Sequence, residues 1–135
     1  MKFLIDFSWF YYQCKNFRYK GNLEFTYATD LDIQGLQDVN KIVINTLKSM
    51  SKDESFFESR TTEDKFHKIE LQERQILGRI LKDYGEEESN IQQNIIECEY
   101  IYQIKIKDNK RRLFFIFDKE HSIIKPLIID LNHLI

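Results

Sequence analysis

The chain has 135 residues, of which 42% are hydrophobic, 31% charged and 14% aromatic, with a single proline; this composition fits one globular domain over residues 1–135 and excludes a disordered or low-complexity chain. The net charge of −2 is unevenly spread. Asp and Glu outnumber Lys and Arg by 13 to 7 in residues 51–100, whereas Lys and Arg lead by 7 to 4 in residues 101–135, so attraction for a polyanion is expected of the last third. No apolar run approaches the roughly 20 residues of a membrane helix, and Asp6 interrupts the opening Met1–Phe7 before a signal-like core forms, so a cytoplasmic protein is expected.

Cys14 and Cys98 are the two cysteines, expected as reduced, buried thiols. No CxxC or Cys/His cluster suggests zinc, and no metal or cofactor is expected. His67 and His121 are expected to be ordinary surface histidines.

In chain order, Lys2–Phe7 alternates Phe3, Ile5 and Phe7 against Lys2 and Asp6, the period of a half-buried strand. An aromatic run, Trp9-Phe10-Tyr11-Tyr12, follows; such a run either stacks on nucleic-acid bases or, more commonly, enters a core or an interface. Phe17–Tyr19 and Leu23–Tyr27 flank Lys20-Gly21-Asn22, predicting a hairpin within residues 9–30. From Ile33 the period becomes helical, with Leu36, Val39, Val43, Leu47 and Met50 on one face, and Ser51–Asp53 ends the helix. Thr61 and Asp64 form a capping-box pattern. It predicts a second helix whose apolar face runs Phe66, Ile69, Ile76, Leu77, Ile80 and Tyr84 and which Gly85 terminates.

The polar stretch Glu86–Gln93 is predicted to be a loop. Ile96–Ile106 then has apolar residues at its even positions and polar Glu97, Glu99, Gln103 and Lys105 at odd ones, predicting a strand with one buried and one wet face, and Arg112–Phe117 and Ile123–Leu131 are nearly all apolar, as in central strands covered on both sides. The fold class expected is α+β: two helices packed on an antiparallel sheet that ends in a three-stranded C-terminal meander, with an N-terminal strand and an extra hairpin.

Polar residues interrupt the meander at few places. Lys105 and Lys107 lie on its first strand, Arg111 and Arg112 open its second, and His133 follows its third. RNA cleavage through the 2′-hydroxyl needs a base, cationic stabilisation of the crowded phosphate and an acid for the leaving oxygen. Arginine binds phosphate in bidentate fashion, and histidine titrates near neutrality. The set is sufficient for that chemistry without a metal.

The segments Tyr102–Lys107, Arg111–Asp118 and Ile123–Asp130, with His133 after them, resemble the ending of the RelE/HigB-like toxins, compact bacterial ribonucleases of toxin–antitoxin systems. The resemblance covers about residues 95–135. It implies a RelE-like fold and a metal-independent mRNA endoribonuclease that inhibits translation, with the ribosome as a candidate place of action, and is held by a cognate antitoxin protein. By the same resemblance His133 is the general acid or base, Arg111 and Arg112 the phosphate clamp, and Lys105 and Lys107 the RNA-binding charge. The alternative is a noncatalytic regulator on the same scaffold that docks on a protein through Trp9–Tyr12.

Overall fold

A computed structural model describes residues 2–10, 17–19, 23–25, 32–52, 66–107 and 111–130. Its centre is a five-stranded mixed sheet with helices on both faces, so the fold is α+β. The strands are β1 (Leu4–Ile5), β4 (Phe66–Lys68), β5 (Ile101–Lys107), β6 (Arg111–Asp118) and β7 (Ile123–Asp130), in spatial order β1-β7-β6-β5-β4. The last three make the expected antiparallel meander, β4 pairs antiparallel with β5, and β1 runs parallel to β7. The predicted hairpin is present as β2 (Phe17–Tyr19) and β3 (Leu23–Phe25), a separate two-stranded ribbon.

Helix α1 (Ile33–Lys52) forms where its period predicts it and buries Val39, Val43, Leu47 and Met50. These side chains meet Ile104, Ile106, Leu113, Phe115, Ile124 and Ile129 on the first face of the sheet. The second face carries Ile101, Phe114, Leu127 and Ile128 under helix α2 (Leu71–Asp83), which contributes Ile76, Leu77, Ile80 and Leu81. Alternation along the strands sorts residues between these two cores. One irregularity in β7 alters the sorting: the register shifts opposite Phe114 and Phe115, and consecutive Leu127 and Ile128 both enter the second core.

Five expectations are corrected. Phe66–Lys68 is strand rather than the first turn of a helix, because it pairs with Tyr102–Ile104 of β5. Helix α2 starts at Leu71 with its own capping box, in which the Glu70 N–H donates to Glu73 Oε1 at 3.1 Å; Thr61 and Asp64 lie outside the described residues. The stretch Glu86–Gln93 is not a loop throughout, since helix α3 (Glu88–Ile91) runs into a π-helical turn, Gln92–Ile96, anchored by buried Ile91 and Ile95. Strand β5 therefore begins at Ile101 rather than Ile96, and both of its faces are covered: Ile104 and Ile106 are buried on one side, Ile101 and Gln103 on the other.

Arg74 ties these elements together. Its Nε donates to the Ile96 carbonyl at 3.0 Å and its Nη1 to the Ile69 carbonyl at 3.3 Å, linking α2 to the end of the π turn and to the chain after β4. Gly78 lets the π turn approach: a Cβ there would stand 2.9 Å from Ile91 Cγ2 and 3.2 Å from Ile96 Cδ1. Among the described residues no helix is long and apolar enough to cross a membrane.

Candidate functional site

The polar residues singled out in the sequence gather at one end of the meander but divide between its faces. Register places Lys105 opposite Arg112, and Arg112 opposite Asp130, so these three form a row across β5, β6 and β7 on the second face. Arg111 belongs to the first face, as alternation requires. Both arginines are buried, Arg111 at 2% exposure and Arg112 at 7%, as is Asp130 at 3%. Lys105 is half-buried. Gln103, on the same face, donates through Nε2 to Glu73 Oε2 at 3.3 Å, so the start of α2 adjoins this polar end. The backbone of Lys107 pairs with Arg111 after a register irregularity. His133 lies outside the described residues, as do Cys14, Tyr11 and Tyr12.

The aromatic run does not stand free where it is described. Trp9 packs on the second core and Phe10 on the first, so the pair straddles the two sides of the sheet. Lys125 Nζ sits 4.5 Å from the Trp9 ring centroid and 3.9 Å from Asp6 Oδ2. The Asp6 carboxyl is held below its usual value, chiefly by the Ser8 N–H donating to Oδ1 at 2.9 Å and by the Ser8 side chain, with Lys125 assisting.

Asp6 and Lys125 line a cleft of about 420 Å³ at the opposite end of the second face. One wall is the π turn with Gln93, Asn94 and Glu97, another is the β6–β7 turn with Asp118, Glu120 and His121, and Asp6, Cys98, Tyr100 and Lys125 complete it. Asp118 organises its turn twice, accepting the His121 N–H on Oδ1 at 3.1 Å and bonding His121 Nδ1 through Oδ2 at 2.8 Å. That carboxylate raises the imidazole's pKa by its hydrogen bond and charge, with Glu120 adding to the effect. Ser122, next in the chain, holds a left-handed backbone with φ 55°, and the π turn is itself an uncommon backbone form that recurs at functional positions. Burial pushes the Cys98 thiol up, so it lacks the low pKa of a reactive nucleophile.

No sequence pattern points to this cleft; His121 is at the surface, as expected, and is bonded there to Asp118. Asp6, Gln93, Cys98, Asp118 and Lys125 come from four separate stretches of chain, and no local spacing announces them. Among the described residues no group of three or more His, Cys, Asp or Glu side chains is placed to hold a metal ion. Compared with curated proteins and with solved structures, the chain matches none. A family model does match it, over residues 6–135, and the chain belongs to that family, described as "Uncharacterised protein UU032".

Proposed function

We propose that the protein is a cytoplasmic, metal-independent endoribonuclease of the RelE/HigB-like type, the toxin of a toxin–antitoxin pair that cleaves mRNA and so arrests translation. The observation that carries the reading is the cross-strand row of Lys105 and Arg112 on one face, with Asp130 beside them three residues before His133. Two cations side by side suit the charge that develops on a phosphate under attack by the 2′-hydroxyl. A guanidinium with little water around it acts more strongly than one in solvent. His133 supplies the proton transfer, and Arg111 and Lys107 add charge at the same end of the sheet. The order of two long helices before a terminal meander also agrees with the resemblance.

A second reading is favoured by one specific observation. Arg111 and Arg112 are buried, and Arg112 lies opposite buried Asp130, as charges that serve the fold do. On that reading the protein is a noncatalytic regulator that works by binding another protein. Induced expression in bacteria separates the two, comparing wild type with His133→Ala, Arg112→Lys and the Arg111→Ala/Arg112→Ala double variant at matched soluble levels. A ribonuclease arrests growth with loss of mRNA, and His133→Ala lowers RNA cleavage by the purified protein about 100-fold or more, the usual worth of a general acid or base. Harmless wild-type protein, or His133→Ala protein as active as wild type, discards the proposed site in favour of the regulator.

A further inference from the structure

Tyr100 stands where two depressions meet. Its backbone is fixed: the carbonyl accepts the Phe117 N–H at 2.9 Å and its own N–H donates to Cys98 Sγ at 3.4 Å. Its side chain nevertheless remains 62% exposed. On one side lies the cleft described above; on the other is a groove of about 280 Å³ along Tyr102 and Phe117. Asp118 and Glu120 line both, and Glu97 borders the larger one.

An exposed aromatic ring on a fixed backbone, between two hollows, is a built contact surface rather than one scattered apolar residue. The charge around it identifies the kind of partner. Asp6, Glu97, Asp118 and Glu120 line the cleft against Lys125 and His121, and Asp118 and Glu120 line the groove against Lys119. With Lys125 engaged by Asp6 and the Trp9 ring and His121 by Asp118, Glu97 and Glu120 leave the surface with an excess of carboxylate. A guanidinium satisfies both halves of this arrangement, since its plane stacks on a tyrosine ring while its N–H fork bonds carboxylates at the edge. Hollows on either side of the ridge accept the neighbouring side chains of an extended segment, which point alternately to opposite sides.

We propose that this surface docks an extended, arginine-bearing segment of a partner protein, with one arginine laid over Tyr100 and held by Glu97 or Glu120. The proposal is independent of the ribonuclease reading, because it uses the other end of the sheet.

Fluorescence anisotropy of a labelled octapeptide alternating arginine and alanine, against a lysine-for-arginine control, tests it with purified full-length protein. Wild type and Tyr100→Phe should bind the arginine peptide saturably and equally. Tyr100→Ala should weaken it about tenfold, the order expected when a stacked cation is lost. Glu97→Gln/Glu120→Gln should weaken it also, and the lysine peptide should bind several-fold less tightly. Thermal melts of the variants confirm that they fold as wild type does. Absence of saturable binding overturns the proposal, and so does equal binding of both peptides that survives Tyr100→Ala, because charge alone then explains it.

Discussion

The two ends of the sheet face beneath α2 use the same three strands and treat charge in opposite ways. At the end where β6 begins and β7 finishes, Arg112 and Asp130 are buried beside half-buried Lys105. At the end where β6 finishes and β7 begins, Asp118, Glu120, His121 and Lys125 surround an open cleft. Between them lies an apolar stretch of Ile101, Phe114, Leu127 and Ile128. The difference teaches that a charge conspicuous in sequence is not thereby a charge offered to a ligand. Adjacent arginines such as Arg111-Arg112 stand out in an apolar strand, yet the open polar cleft is formed by residues that look ordinary one at a time.

The sharpest way to break this comparison is to remove one charge from each end. Arg112→Ala leaves Asp130 buried without its cross-strand neighbour and should cost about 3 kcal/mol in urea unfolding, with Arg112→Met/Asp130→Leu recovering most of that loss. Glu120→Ala at the open end should change stability by no more than about 0.5 kcal/mol. Equal costs at the two ends would abolish the distinction.

A smaller effect is expected from Gly78→Ala. The added methyl meets Ile91 and Ile96 closely, so overpacking outweighs the gain in helix propensity and leaves a net loss of about 1 kcal/mol. Amide chemical shifts should move at Gln93, Asn94 and Glu97 and stay still at Lys105 and Arg112. Movement confined to the buried end would show that α2 and the π turn do not govern the cleft.

The smallest effect concerns pH. Asp118 holds the His121 pKa above its ordinary 6.5, so the protonated imidazole favours the folded chain. Its contribution is whole below pH 6.5 and is lost as pH rises through the raised value. A histidine titration followed by NMR should place the His121 midpoint above 6.5, and Asp118→Asn should lower it toward the ordinary value; a midpoint already at 6.5 in wild type would dissolve the pair.

Much of the architecture was legible because local pattern and tertiary role coincide. Val39, Val43, Leu47 and Met50 repeat at helical spacing and are buried along one side of α1, and the unbroken apolar runs of β6 and β7 match strands covered on both sides. Legibility failed where pairing is distant or the signal polar. Phe66–Lys68 is extended because β5 supplies its partner, which no capping rule can anticipate. The alternation of Ile96, Cys98 and Tyr100 continues that of β5 by coincidence and runs backwards into a π turn. Helix α3 was missed because Ile91 and Ile95 are the only buried anchors along Glu88–Ile96. The cleft was illegible for a related reason, since β1 and the π turn reach the β6–β7 turn only in the folded chain.

The parallel pairing of β1 with β7 also sets an order of events during synthesis. Leu4 and Ile5 align with Ile123 and Ile124, so β1 must wait for β7 before its backbone amides find their partners. Until then Phe3 and Ile5 lack much of the apolar surface they later adjoin, and Asp6 has no Lys125 beside it. Long-range closure of this kind is slow compared with helix formation. The cleft that depends on it is therefore completed only once the ribosome has released Ile123–Asp130, well after α1 and α2 are able to form.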